Sequence, residues 1–131
     1  MKFLQDDISV SSQHVLRGIH GDAETWKLIS CMYGKFYLVV VNCDNDSPDF
    51  GKWQSFVLSD RNRHQVLIPP KHGNGHLVLS EKAIFHYKQN TYYNPSLRMG
   101  SHCDLSSSLT FLSLMGPGSS GLMPSLARAA P

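Results

Sequence analysis

The sequence predicts an all-β fold, an antiparallel sandwich or jelly roll. Short extended runs follow one another along the first 95 residues, separated by turns rich in Gly, Pro, Asn and Asp. No sustained helical periodicity occurs in this part of the chain. By length, 131 residues correspond to about one domain, and the 41% apolar content can furnish a small core.

Two neighbouring strands are predicted at residues 15–22 and 26–29. The first carries Arg17 and His20, and the second begins next to Lys27. An imidazole, a guanidinium and an ammonium therefore lie within a dozen positions of one another. These groups suit carbanion chemistry on an anionic ligand.

The spacing of Arg17 and His20 requires an irregular strand. Residues three positions apart face opposite sides of a regular strand, so both can face one pocket only if the backbone deviates. Gly18 and Gly21 are the positions where a bulge or a sharp bend is least costly.

Lys27 is predicted to point inward. It alternates with Ile29 and Cys31, so its stem lies toward the interior and its ammonium reaches the mouth of a pocket.

Later strands follow from β-branched and aromatic runs. Residues 36–41 are continuously aromatic or β-branched, as expected of a strand covered on both faces, and residues 42–48 have turn chemistry. Further strands are predicted at 55–58, 65–68, 76–79 and 83–89.

The composition changes after Pro95. Residues 105–131 are rich in Ser, Gly, Pro, Leu and Ala, and Arg128 is their only charged residue. We therefore predict a folded domain over 1–95 and a poorly ordered tail over 96–131.

Charge and cysteine content exclude several classes of protein. A net charge of +2 with 17% charged residues gives neither a nucleic-acid-binding stripe nor a membrane-binding face. No run approaches the roughly 20 apolar residues of a membrane-spanning helix, and residues 1–7 do not resemble a signal peptide. Cys31, Cys43 and Cys103 are an odd count without paired metal spacing, which favours the cytoplasm.

Four residues fall on the frame His-x-His-x4-Glu-x6-Gly by which metal-binding cupins hold a transition metal, namely His20, Asp22, Lys27 and Gly34. Two of the ligand positions are altered. Lys27 stands where the metal site needs a carboxylate, and a protonated amine offers no lone pair and repels a cation. The frame is similar to that of cupins, but a metal is not expected.

Residues 4–95 resemble the nucleotide-sugar 3,5-epimerase family, typified by dTDP-4-dehydrorhamnose 3,5-epimerase. The segments that carry the resemblance are 5–7, 15–20, 26–28, 47–53, 67–70, 77–81 and 87–95. The short form of residues 17–22 and the tract 73–76 are most similar to the subgroup that acts on GDP-linked 6-deoxy-4-keto-heptoses.

The resemblance implies a cupin-type jelly roll that assembles as a homodimer and needs no cofactor. The implied activity is epimerisation at C3, C5 or both of a nucleotide-diphosphate-linked 4-keto-6-deoxy sugar, in the synthesis of surface polysaccharide or lipopolysaccharide. Inversion next to a ketone requires a base on one face, an acid on the other and a donor that stabilises the enolate. The resemblance assigns these roles to His20, Tyr87 and Lys27, respectively.

The remaining implied contacts are with the substrate. Arg17 would pair with the nucleotide-linked phosphates, for which a planar guanidinium is suited. Tyr93 belongs to the matched tract 87–95 and is assigned to substrate binding. Asn74 stands where the epimerases carry a second active-site histidine, and it can hydrogen-bond but cannot act as an acid or base near neutral pH. His76 stands where they have an aromatic residue.

Plainer interpretations exist for each residue. Without the resemblance, a lone histidine at a strand end, such as His20, is more often a surface or hydrogen-bonded structural residue than a catalyst. Tyr87 alternates with Phe85 and Gln89, so it is also explained as a core aromatic with its hydroxyl at the rim. Arg17 and Lys27 could form salt bridges with nearby carboxylates and do nothing more.

The histidines suggest a metal-binding site as a second interpretation, because His72, His76 and His86 together with His20 faintly resemble a set of metal ligands. We favour structural roles for these additional histidines.

The chain also departs from the family pattern. It lacks the family's late Trp-x-Asp-Pro-like segment and the late Asp that holds the catalytic histidine, and it begins several strands later, so truncation at both ends is expected. Two alternatives therefore stand beside the epimerase. One is a non-catalytic remnant that still binds a sugar nucleotide, and the other is a metal-dependent cupin such as an isomerase or dioxygenase.

Overall fold

A computed structural model describes residues 1–94 and 96, and this part of the chain folds into two antiparallel four-stranded sheets. The first sheet has the order β1-β8-β3-β6 and the second the order β2-β7-β4-β5. The strands are β1 Gln5–Ser12, β2 Leu16–His20, β3 Lys27–Tyr33, β4 Lys35–Asn42, β5 Trp53–Ser59, β6 Gln65–Ile68, β7 His72–Val78 and β8 Lys82–Gln89. The predicted all-β jelly roll is confirmed.

The central strand β4 is buried on both faces, as its composition predicts. Phe36 and Leu38 point between the sheets and pack in a cluster with Phe85 of β8. Tyr37 and Val39 point to the other face, where they join a second cluster. All four β4 residues are fully buried, because each face of β4 carries its own apolar layer.

Strand β1 was not predicted. Its sequence is too polar to signal a strand, yet it pairs with β8 along its whole length, from Gln5 opposite Gln89 to Ser12 opposite Lys82. Ser11 is buried while Val10 is 61% exposed, so β1 turns Gln5, Asp7, Ser9 and Ser11 inward and its apolar residues outward. The jelly roll therefore begins at Gln5, ahead of the first predicted strand at residues 15–22.

The expectation that β2 and β3 are adjacent strands is wrong. β2 pairs with β7 in the second sheet, whereas β3 lies between β8 and β6 in the first. The six-residue connection crosses from one sheet to the other. As a result, Lys27 lies across the interior from Arg17 and His20 instead of beside them.

The predicted irregularity in β2 is confirmed. Arg17 pairs with His76 and His20 with Asn74, so the register shifts between the two pairs. Gly18 has a φ of +119°, and a Cβ at this position would collide with the Cα of Gly75. The bulge lets Arg17 and His20 line the same cavity.

No helix among the described residues is long and apolar enough to cross a membrane. The predicted tail over 96–131 lies outside the described residues, apart from Ser96.

Candidate active site

A cavity of about 630 Å³ opens between the two sheets. The second sheet contributes one wall and the first sheet, with the segment after β8, contributes the other. All six residues singled out in the sequence line this cavity: Arg17, His20, Lys27, Asn74, Tyr87 and Tyr93. The structure therefore brings together side chains that are up to 76 positions apart in the chain.

Arg17 and His20 lie on the second-sheet wall, and both side chains are exposed at the mouth. The Nε of Arg17 donates a hydrogen bond to the Oγ of Ser11 at 3.3 Å, which ties the guanidinium to β1. Asp22 has a separate role, because its Oδ1 accepts hydrogen bonds from the backbone N–H groups of Glu24 at 2.9 Å and Thr25 at 2.6 Å. The carboxylate thus shapes the crossing between the sheets.

Lys27 reaches the cavity from the first sheet. Ile29 and Cys31 on the same side of β3 are buried, which confirms the predicted inward register. The Nζ of Lys27 lies 5.6 Å from the centroid of the Tyr87 ring, within the range of a cation–π contact. An ammonium and a phenol therefore stand together on this wall.

Tyr87 is half-buried, and it faces the cavity from β8. Its ring meets Phe85 edge-on, with centroids 5.8 Å apart. Burial, and to a lesser extent the carboxylate of Asp7, raises the pKa of Tyr87 to about 12. The phenol therefore keeps its proton near neutral pH and can act as a donor.

A polar network behind Tyr87 was not found from the sequence. The Nε2 of Gln5 donates to the Oδ2 of Asp7 at 2.9 Å, and the Nε2 of Gln89 donates to the Oε1 of Gln5 at 3.3 Å. The backbone N–H of Tyr93 donates to the same Oε1 at 2.9 Å. The available signal was the alternation along β1, in which the polar residues Gln5, Asp7, Ser9 and Ser11 occupy every second position.

His76 was also missed as a site residue. It is 4% exposed, lines the cavity and stacks on Phe85 with ring centroids 4.2 Å apart. Burial, and to a lesser extent the neighbouring Arg17 and His20, lowers the pKa of His76 to about 4. The imidazole is therefore neutral near pH 7.

The histidines of the metal interpretation do not form a cluster. His86 lies on the outer side of the first sheet, where its Nε2 is 3.3 Å from the Oδ2 of Asp6 and its Nδ1 is 3.0 Å from the Oγ of Ser30. The Nδ1 of His72 lies 3.0 Å from the carbonyl oxygen of Pro70. Within residues 1–94 and 96, no three His, Cys, Asp or Glu side chains are grouped so as to hold a metal ion.

The geometry places a potential base and a potential acid on opposite walls. His20 belongs to the second sheet, and Tyr87 with Lys27 belongs to the first. A planar intermediate between them could lose a proton to one wall and receive a proton from the other. The arrangement therefore permits stereochemical inversion at a carbon next to a carbonyl group.

Comparison with known proteins gives a consistent result. Residues 1–108 match the family model described as dTDP-4-dehydrorhamnose 3,5-epimerase. The chain is 41% identical over 103 residues to the dTDP-4-dehydrorhamnose 3,5-epimerase of Escherichia coli, an alignment that covers 76% of this chain and 56% of that protein.

Solved structures agree with the sequence matches. The dTDP-6-deoxy-D-glucose-3,5-epimerase of Legionella pneumophila, in complex with dTDP-4-keto-L-rhamnose, superposes with a TM-score of 0.71 at 38% identity, covering 75% of this chain and 53% of that one. The dTDP-4-dehydrorhamnose 3,5-epimerase of Bacillus anthracis, with TDP and PPi bound, gives a TM-score of 0.72 at 34% identity, covering 76% and 59%. The chain thus spans about half the length of the relatives that it matches.

Proposed function

Because the chain belongs to the dTDP-4-dehydrorhamnose 3,5-epimerase family, we propose that it epimerises a nucleotide-linked 4-keto-6-deoxy sugar at C3, C5 or both. The reaction proceeds by removal and return of a proton, without a cofactor. Its product serves the synthesis of surface polysaccharide or lipopolysaccharide. The observation that carries this proposal is the placement of His20 and Tyr87 on opposite walls of one cavity.

The proposed chemistry begins at His20. Its neutral imidazole removes the proton from the carbon next to the C4 ketone, and the electron pair of the broken C–H bond moves into an enolate. The ammonium of Lys27 stabilises the negative charge that develops on the C4 oxygen. The protonated His20 later returns its proton to solvent.

Tyr87 completes the inversion. Its phenol gives a proton to the opposite face of the same carbon, which restores the ketone and inverts the centre. The resulting phenolate regains a proton from solvent. The position of Tyr87 on the cavity wall opposite His20 supports this role, and its phenol, with a pKa of about 12, is protonated before the reaction.

Substrate binding is assigned to the remaining residues of the cavity. Arg17 pairs with the diphosphate at the mouth, where its side chain is exposed. Tyr93, at the rim and 62% exposed, contacts the sugar nucleotide, and Asn74 hydrogen-bonds the sugar. We further propose a cytoplasmic homodimer.

Proton NMR of the protein in heavy water tests the activity. Thymidine-linked 4-keto-6-deoxyhexose and guanosine-linked 4-keto-6-deoxyheptose are supplied side by side. We expect solvent deuterium to enter C3 or C5 of one substrate, and the preferred substrate identifies the subgroup. Binding of a substrate without deuterium uptake would instead support the non-catalytic alternative.

A further inference from the structure

Two polar atoms in the cavity wall have no hydrogen-bond partner within residues 1–94 and 96. They are the Oδ1 of Asn74 and the Nε2 of His76, and both atoms are fully buried. Their residues are 9% and 4% exposed, respectively. Buried polar atoms in native proteins are nearly always hydrogen-bonded, so these two are expected to pair with a group that enters the cavity.

The two side chains form a continuous patch. Asn74 and His76 are two positions apart on β7 and therefore point to the same side of the second sheet. Across the β2–β7 pair, Asn74 lies opposite His20 and His76 lies opposite Arg17. A ligand that contacts the mouth residues Arg17 and His20 is therefore within reach of this patch.

The imidazole of His76 is fixed in orientation. It stacks on Phe85 at an interplanar angle of 12° and meets Phe36 at 58°, with centroids 4.2 Å and 5.3 Å apart. These rings belong to β8 and β4, so the imidazole is clamped between both sheets. It cannot turn to a new partner without losing this packing.

The chemistry of the two atoms selects the class of ligand group. The Oδ1 of Asn74 only accepts hydrogen bonds, so it needs a donor. A phosphate oxygen or a ketone oxygen offers no donor and leaves Asn74 Oδ1 unpaired. A hydroxyl group can donate to Asn74 and exchange a second hydrogen bond with the neutral imidazole of His76.

We propose that Asn74 and His76 form a subsite for one hydroxyl group of the sugar, and that His76 determines which sugars the cavity accepts. This inference rests on the proposed function, because it assumes a nucleotide sugar in the cavity. A site with buried groups aimed at a hydroxyl discriminates against ligands that lack it, since those groups are then left unpaired. His76 stands where the epimerases that the chain resembles have an aromatic residue, whose ring offers no such nitrogen.

Calorimetric titration tests the subsite without turnover. TDP and GDP are titrated first. 6-Deoxyglucose linked to the nucleotide that binds is then compared with two analogues, one lacking the hydroxyl at C2 and the other the hydroxyl at C3, which are the ring hydroxyls that a 4-keto-6-deoxyhexose retains. The parent protein should bind one analogue about 10-fold more weakly than the full sugar. The affinity for TDP or GDP alone should be the same in the parent protein and in the His76 variants.

The matched variants are His76→Phe, which preserves an aromatic ring against Phe85, and His64→Phe at an exposed loop position. His76→Phe should bind the full sugar about 10-fold more weakly and no longer distinguish the sensitive analogue. His64→Phe should behave as the parent. His76→Gln, which retains hydrogen-bonding groups, should recover part of the discrimination between the full sugar and the sensitive analogue. If His76→Phe does not fold, His76→Gln replaces it in the comparison.

Three results would overturn the subsite. A parent protein that binds both analogues as tightly as the full sugar has no hydroxyl subsite, whatever the variants do. Unchanged discrimination in His76→Phe would exclude His76. Equal weakening of every ligand, including the nucleoside diphosphate, would indicate a general packing defect. If the parent binds neither nucleotide nor nucleotide sugar, the proposed function itself fails.

Discussion

At the scale of single residues, the side chains that matter most are those whose protonation state is set by their position. Tyr87 and His76 both face the cavity, and burial is the main cause of the pKa shift in each. Burial disfavours the charged form, so the phenol stays protonated and the imidazole stays neutral. One cavity thereby holds a protonated phenol on the first sheet and a neutral imidazole on the second.

Removing the proposed base should abolish exchange. His20→Ala is expected to reduce deuterium uptake at both carbons by roughly 10²–10⁴-fold, the usual contribution of a general base. Tyr87→Phe should leave uptake in place and slow formation of the inverted product, because removal and return of the proton use different groups. NMR follows both signals, with His64→Ala as a surface control. Exchange in His20→Ala at the parent rate would disprove the assignment.

Acid should destabilise the fold through His76. The pKa of His76 is about 4 in the folded protein, and its ordinary value of 6.5 applies to the unfolded chain. Between these two pH values the unfolded chain therefore binds more protons than the folded protein. The stabilisation is present above pH 6.5 and is lost as the pH falls toward 4, by an amount on the order of 3 kcal/mol. Urea titrations from pH 7 to 4 should show a shallower loss for His76→Phe than for the parent. An identical slope in both proteins would contradict the buried, neutral state.

At the scale of elements, the bulge in β2 decides the composition of the second-sheet wall. Without it, Arg17 and His20 would point to opposite sides of the strand. The bulge depends on Gly18, whose backbone has a positive φ and approaches β7 closely. Glycine is required there for two separate reasons, its conformation and its lack of a Cβ.

Two glycine substitutions separate these reasons. Gly51 also has a positive φ, +82°, but a Cβ there would have no neighbour within 4 Å. Gly51→Ala should therefore cost about 1 kcal/mol of unfolding free energy, from the backbone conformation alone. Gly18→Ala adds a collision with Gly75 and should cost roughly 3 kcal/mol. Urea denaturation measures both, and equal losses would show that close packing against β7 is unimportant.

At the scale of the whole molecule, the jelly roll has a cavity and an exposed apolar surface in different places. The interior between the sheets carries the cavity, and the outer side of the first sheet exposes apolar side chains. Ile8 and Val10 on the edge strand β1 are 60% and 61% exposed, and Met32 and Leu67 are 54% and 47% exposed. An edge strand with exposed apolar residues is a candidate for pairing with another chain.

The protein should form a homodimer, as the resemblance to its family implies. Val10→Lys should weaken self-association, because it places a charge on the exposed side of the edge strand β1. Light scattering of the parent and the variant over a range of concentrations measures the effect, with Arg61→Glu in the exposed turn after β5 as a control. A parent that stays monomeric at high concentration would rule the dimer out.

The sequence by itself determined the fold class, the inward register of Lys27 and the need for a bulge between Arg17 and His20. These features depend on local pattern, since side-chain alternation and the conformational freedom of glycine are properties of neighbouring residues. The buried central strand β4 was equally visible, because its run of aromatic and β-branched residues needs two apolar faces. The resemblance to the epimerases added the residue roles, which remain predictions.

Only the tertiary structure decided the strand β1, the placement of β2 and β3 in different sheets, and the position of His76 on the cavity wall. Each depends on pairing between residues far apart in the chain, such as β1 with β8 across at least 70 positions. Local propensity carries no information about such partners, and a polar strand like β1 forms because β8 satisfies its backbone. The opposition of His20 and Tyr87 is of the same kind, since it exists only once two sheets face each other.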